Sequence, residues 1–126
     1  MASENCNFCC DYCFDSFNGK NISKSTLENI CKLVRQQIRN FTGINISWFG
    51  GEPLLAKDSI FELSDKLIQL CNVTSRMYTA SITTNGYLLD LDTFVQLHKR
   101  KVFQFDITLD GFSETHDLHR KCKNGD

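Results

Sequence analysis

The sequence predicts an α/β fold, a partial parallel (β/α) barrel of about three βα units. Three observations carry this. Short strand patterns alternate with amphipathic helical patterns, the order that builds parallel sheets through helical crossovers. The strand patterns alternate apolar and polar residues where parallel strands covered on both faces read as continuous apolar runs. No low-complexity linker interrupts the 126 residues. Right-handed crossovers put every helix on one side of a curved sheet, so the polar face becomes a lumen. A closed barrel would fill it with Val, Ile and Leu. Here it carries hydroxyls, amides and carboxylates, which suits a bound ligand.

The chain opens with Cys6-Asn-Phe-Cys-Cys10-Asp-Tyr-Cys13, four of the seven cysteines within eight residues. Asn18-Gly19 reads as a turn. Ser25-Thr-Leu-Glu28 reads as a capping box for a first helix, with Leu27, Ile30, Cys31, Val34, Ile38 and Phe41 at helical spacing and Gly43 as its stop. A strand at residues 44–48 runs into Gly50-Gly-Glu-Pro53. Asp58 caps a second helix through Ile60, Leu63, Leu67 and Cys71. A second strand spans residues 77–84 and ends in Asn85-Gly86. Asp90 caps a third helix, with Lys99, Arg100 and Lys101 at its dipole-favoured end. The third strand, residues 102–109, puts Phe103, Phe105, Ile107 and Leu109 on one face and Gln104, Asp106, Thr108 and Asp110 on the other.

Composition narrows the function. Hydrophobic residues at 41%, charged residues at 23% and a net charge of −1 are those of an ordinary globular domain. The charge gives no footprint for nucleic acid or a membrane surface. No apolar run reaches the roughly 18 residues a membrane span needs, and the N-terminus lacks the regions of a signal peptide. An odd cysteine count crowded at one end is unlike a secreted disulfide scaffold. A reducing, cytoplasmic compartment is expected.

Cys6, Cys10 and Cys13 have the spacing Cys-x3-Cys-x2-Cys, suited to thiolates converging on an iron–sulfur centre. Three ligands for a four-iron cube leave one iron open for chemistry. Cys9 is read as a bystander. The rival is zinc, since Cys6-x2-Cys9 and Cys10-x2-Cys13 are both knuckles; the second knuckle of a ribbon, some 15–20 residues on, is missing. His116, His119 and Cys122 are a weaker ligand grouping. In the two glycines before Glu52, backbone can approach a ligand closely.

This cysteine motif, Gly50-Gly-Glu-Pro53 and Ile107-Thr-Leu-Asp-Gly111 together resemble the radical S-adenosylmethionine (SAM) enzymes. The resemblance extends over essentially the whole chain, and the segment Asp110-Gly-Phe-Ser-Glu-Thr-His116-Asp-Leu-His-Arg120 is similar to the peptide-modifying branch that includes anaerobic sulfatase-maturating enzymes. It implies a [4Fe–4S] cluster on Cys6, Cys10 and Cys13. It further implies SAM chelating the open iron, reductive cleavage to a 5′-deoxyadenosyl radical, and hydrogen abstraction from a peptide or protein substrate. An external one-electron reductant is implied with it. Tyr12 and Phe14 would pack near the adenine. Gly50, Gly51 and Glu52 would receive the methionine ammonium, Thr108 would offer a hydroxyl, Arg120 would pair with the carboxylate, and Asn85 is a further contact. No general base is assigned. The family has about six barrel strands and one before the cysteine loop. Residues 1–126 are therefore expected to be the N-terminal part of such a core, with an open sheet edge. The alternative is a non-enzymatic module stapled by zinc or a cluster.

Overall fold

The computed structural model describes residues 1–14 and 19–123, and Asn18 of the expected turn lies outside them. The element order is β1 (Phe8–Cys10), α1 (Lys24–Gln37), β2 (Gly43–Trp48), α2 (Lys57–Val73), β3 (Met77–Thr83), α3 (Leu91–Lys99), β4 (Val102–Asp106), α4 (Ser113–His119) and β5 (Arg120–Cys122).

β2, β3 and β4 form a parallel sheet in that order, and β1 and β5 form a separate antiparallel pair. β2 and β3 run in uninterrupted register from Gly43 opposite Met77 to Trp48 opposite Ile82. Period-2 alternation sends Tyr78, Ala80 and Ile82 into a core with Trp48, and there they meet Leu27 of α1, the Ile60, Leu63, Leu67 and Cys71 stripe of α2, and Leu97 of α3. Burial of these apolar side chains holds the helical layer on the sheet. The other face stays polar. Asn45 Nδ2 donates to Thr79 Oγ1 at 2.8 Å and Ser81 Oγ to Ser47 Oγ at 3.2 Å, joining the strands across that face.

Several local expectations are revised. α1 is capped by Ser23, whose extended backbone lets its hydroxyl accept from Thr26 N at 3.1 Å. Ser25 lies inside the first turn and bonds Ser23 Oγ instead. Gly43 opens β2, α1 having given way to a 3₁₀ turn at Ile38–Asn40. Asp58 sits within the first turn of α2, favourable to its dipole, and does not cap it. Asp90 does cap α3, accepting from Thr93 N at 2.7 Å.

β4 departs most. Pairing with β3 steps from Ala80–Val102 to Ser81–Gln104, so Phe103 is an extra residue in the ladder. The bulge hands the core position to Val102, which is fully buried, and turns Phe103 outward at 57% exposure. The strand then ends at Asp106, which leaves Thr108 on the loop beyond it. Residues 2–5 do run as an extended segment beside the exit of β2, with Ala2 N donating to Phe49 O, Gly51 N to Ser3 O, and Glu52 N to Asn5 O. Among the described residues no helix is long and apolar enough to cross a membrane.

Candidate cofactor site

The cysteine stretch is held as a strand. β1 pairs with β5 in the register Phe8–Cys122, Cys9–Lys121 and Cys10–Arg120. The pairing is lengthened by Lys123 N donating to Asn7 O at 2.8 Å and Asp11 N to His119 O at 3.2 Å. Strand alternation separates the thiols. Cys10 is half-buried and faces inward, whereas Cys9 is exposed. Cys13 is brought back over Cys10 by a turn in which its N–H donates to Cys10 O at 3.1 Å.

Cys6, Cys10 and Cys13 line one cavity of about 320 Å³ at the C-terminal ends of β2, β3 and β4. That is the lower end of the ~300–1,000 Å³ range of small-molecule sites, at the position where α/β sheets place ligands. Tyr12, Phe14, Gly50, Gly51, Asn85, Thr108 and Arg120 line the same cavity. Ten of the eleven residues singled out in the sequence for cluster and cofactor therefore converge, from positions as far apart as Cys6 and Arg120. Cys9 does not line it.

Glu52 is the exception. Its carboxylate is fully buried and spent on protein donors. Oε1 accepts from Leu54 N at 2.9 Å and Thr84 Oγ1 at 2.8 Å, and Oε2 from Asn85 N at 2.8 Å. The side chain ties the turn after β2 to the turn after β3 and does not itself line the cavity. Gly50 also has a reason within the protein. A Cβ there would stand 2.0 Å from Ser3 O, so the glycine admits the N-terminal segment.

Arg120 is aimed by Asp110. One oxygen of Asp110, Oδ2, accepts from Arg120 Nε at 2.8 Å and also from the Tyr12 hydroxyl. The guanidinium lies over the Tyr12 ring, 5.7 Å from its centroid. The hydrogen bond to the carboxylate pushes the Tyr12 phenol up to about 12, and the same bond, with that from Arg120, holds Asp110 below the usual carboxylate range. Neither Asp110's clasp nor the α4–β5 return that brings it here was read from the sequence; the signal was the spacing of Tyr12, Asp110 and Arg120, which means nothing until the tail folds back. His116 and His119 are explained by that return. His116 Nδ1 accepts from Asp110 N at 3.2 Å, and His119 Nδ1 lies 2.8 Å from Asp11 Oδ2.

Burial pushes the Cys6 thiol up, opposed by a hydrogen bond from Phe8 N at 3.3 Å. Burial likewise raises Cys10, opposed by the Arg120 charge. A metal centre that takes thiolates would displace these protons. Three soft sulfur donors beside a cavity carrying a cation and backbone polar groups fit an iron–sulfur cluster with a zwitterionic ligand. Among the described residues no three His, Cys, Asp or Glu side chains gather tightly enough to chelate a single ion. A zinc knuckle would need Cys6 and Cys9 together, and Cys9 is exposed and does not line the cavity that Cys6 lines. Cluster cysteines bind different irons and can stand further apart.

Comparison with known proteins agrees with this geometry. The family model described as the Radical SAM superfamily matches residues 2–126. The cysteine-type anaerobic sulfatase-maturating enzyme of Clostridium perfringens is 30% identical over 126 residues, covering 95% of this chain and 34% of the relative. The serine-type anaerobic sulfatase-maturating enzyme of Klebsiella aerogenes is 28% identical over 124 residues, 95% of this chain and 30% of the relative. The chain thus spans about a third of the length of these curated relatives. The structure described as native anSMEcpe with bound AdoMet and Kp18Cys peptide matches with a TM-score of 0.79 and 31% identity, over 98% of this chain and 34% of that one. BtrN in complex with AdoMet and 2-DOIA matches with a TM-score of 0.68 at 20% identity, over 94% and 46%, a likeness of fold alone. The parallel sheet with helices on one face, its ligand cavity at the strand ends, and the family match over nearly every residue lead to one assignment: the chain belongs to the radical SAM superfamily.

Proposed function

We propose that residues 1–126 form the N-terminal part of a radical SAM core domain, in which Cys6, Cys10 and Cys13 ligate a [4Fe–4S] cluster and S-adenosylmethionine fills the adjoining cavity. The observation that carries this is the selection among the thiols. The three cysteines of the Cys-x3-Cys-x2-Cys spacing face the cavity, and the fourth, Cys9, is turned out of it.

When bound, the cluster and S-adenosylmethionine supply one-electron cleavage of the sulfonium and hydrogen abstraction from a carbon of the substrate. This chain's residues bind and orient. Arg120 offers its remaining guanidinium N–H groups to a carboxylate, a charge-assisted contact. The backbone oxygens of Gly50 and Gly51 suit an ammonium, and the Glu52 carboxylate holds the turn that carries them. The Thr108 hydroxyl suits a ribose, and Tyr12 and Phe14 offer aromatic surface to the adenine. The electron comes from an external one-electron reductant.

The substrate follows from the relatives. Both of these relatives are named for maturing sulfatases, and a solved structure that this chain resembles is described with a bound peptide. A peptide or protein side chain is the substrate class proposed here. The crowding of cysteines away from any disulfide pattern supports a reducing, cytoplasmic setting.

Anaerobic reconstitution with iron and sulfide, followed by electron paramagnetic resonance of the reduced protein, tests this. A [4Fe–4S] signal that shifts on adding S-adenosylmethionine and is absent from Cys10→Ala is expected. A folded wild-type protein that takes up zinc but forms no cluster would sink the proposal.

A further inference from the structure

Asn85 closes the turn after β3, and its side chain is fixed from both ends. Its backbone N donates to Glu52 Oε2 at 2.8 Å, and its Oδ1 accepts from Tyr87 N at 3.0 Å. That second bond decides which way the amide faces. Flipping it would set Nδ2 against the Tyr87 N–H, donor to donor, and Oδ1 against Asn7 Oδ1. With the amide in this orientation Nδ2 has two hydrogens to place. One goes to Asn7 Oδ1 at 2.8 Å and the other to Cys6 Sγ at 3.8 Å. The sulfur's large radius makes that an N–H···S contact. Asn7 Nδ2 is itself buried without a partner among the described residues, and Asn7 Oδ1 lies 3.9 Å from the same sulfur. No side-chain N–H reaches the sulfur of Cys10 or Cys13 among the described residues.

We infer that Asn85, seated by Asn7 and Glu52, is a positioning residue that donates a hydrogen bond to the Cys6 thiolate and thereby raises the reduction potential of the cluster. The inference rests on the proposed function, since it needs a cluster on Cys6. Hydrogen bonds to the sulfurs are among the levers that set such potentials. Reduction makes the cluster more negative, so an N–H pointing at a ligating sulfur stabilises the reduced state more than the oxidised one. The arrangement gives a reason for a fully buried Glu52: it fixes the backbone from which this amide is aimed. It also makes the three thiolates unequal: among the described residues Cys6 alone carries both a backbone donor and a side-chain donor.

The test is an anaerobic potentiometric titration of the reconstituted protein, wild type beside Asn85→Ser. Serine keeps a short oxygen for the Tyr87 N–H, adds no charge and cannot reach Cys6. The expected result is an assembled cluster whose reduced-to-oxidised ratio at a fixed applied potential falls on the order of tenfold, ~59 mV for one electron. A potential equal to that of wild type overturns the inference. Wild-type protein carrying asparagine labelled with ¹⁵N only in its side chain gives a reading that depends on no variant folding. The reduced cluster is expected to show a nitrogen coupling in pulsed paramagnetic resonance, and its absence also overturns the inference. A folded wild-type protein that assembles no cluster overturns the proposed function and the inference with it, an outcome distinct from a cluster with an unchanged potential.

Discussion

Glu52 and Asn85, thirty-three residues apart, are joined by a hydrogen bond of 2.8 Å from the Asn85 backbone N–H to a fully buried carboxylate oxygen. The bond fastens the exits of two parallel strands to each other at the rim of the cavity. A buried carboxylate is tolerated only when donors replace its water, and here Leu54 N, Thr84 Oγ1 and Asn85 N do so. Glu52→Ala strands all three. Each buried unsatisfied group costs ~1–3 kcal/mol, so urea unfolding should show a loss of ~3 kcal/mol or more. Glu52→Gln keeps an acceptor for two donors but turns an amide N–H₂ on Asn85 N. Its loss should be smaller, ~1–3 kcal/mol. Equal stability of Glu52→Ala and wild type would contradict this role.

Gly50 carries a second prediction. Its missing side chain leaves room for Ser3 O, a backbone atom that cannot swing aside. Gly50→Ala should therefore expel the N-terminal segment, at the ~1–3 kcal/mol typical of overpacking. Hydrogen exchange gives the local readout. The amides of Ala2, Gly51 and Glu52, each of which donates a hydrogen bond between this segment and the exit of β2, should lose protection while those of β3 keep theirs. Unchanged protection at Gly51 and Glu52 would show that the segment does not depend on the glycine.

How far these features could be read in advance follows from the range of the interactions that set them. β2, β3 and the α2 stripe were legible because one periodicity fixes each locally. The cavity residues were legible because their spacing resembles a family. The bulge at Phe103 was not, since the choice between Phe103 and Val102 for the core is made by pairing with Ala80 and Ser81, about twenty residues away. β5 was not, since Arg120–Cys122 is three residues long with two cationic side chains and becomes a strand only against Cys10. Glu52 is read as a ligand contact because two of its donors, Thr84 and Asn85, lie in the turn after another strand. In each case the deciding partner is remote in sequence.

Asp110 sets a pH window for the clasp between the cysteine strand and the tail. Its carboxyl is held below the ordinary value by Tyr12 and then Arg120. A depressed native value means this stabilisation is complete above the unfolded value, ~3.9, and is lost as pH falls below it. Tyr12 bounds the alkaline side. Its phenol is raised to about 12, so the contribution is complete below ~10 and is lost as pH climbs from there through the native value. Tyrosine ring-labelled NMR should show the Tyr12 phenol titrating late, as burial also makes Tyr78 do, and in Asp110→Asn the Tyr12 resonance alone should move back towards ~10. A Tyr12 resonance that titrates normally in the wild type would dismiss the clasp.

The β1 pleat makes the last prediction, that one cysteine of the four is dispensable. Cys9 and Cys10 are neighbours in sequence, yet successive side chains of a strand face opposite ways. Cys10 is half-buried against the cavity and Cys9 is exposed, opposite Lys121. Moving Cys9 into the ligand set would require a one-residue slip of β1 against β5, which would turn Phe8, buried at 7% exposure and packed edge-on against Tyr87, out to solvent. Cys9→Ser should therefore reconstitute with the iron and sulfide content of wild type and an unchanged reduced-state spectrum. Cys6→Ser, Cys10→Ser and Cys13→Ser should each lose most of the bound iron. Iron loss in Cys9→Ser equal to that in Cys10→Ser would mean that β1 pairs in another register when metal binds.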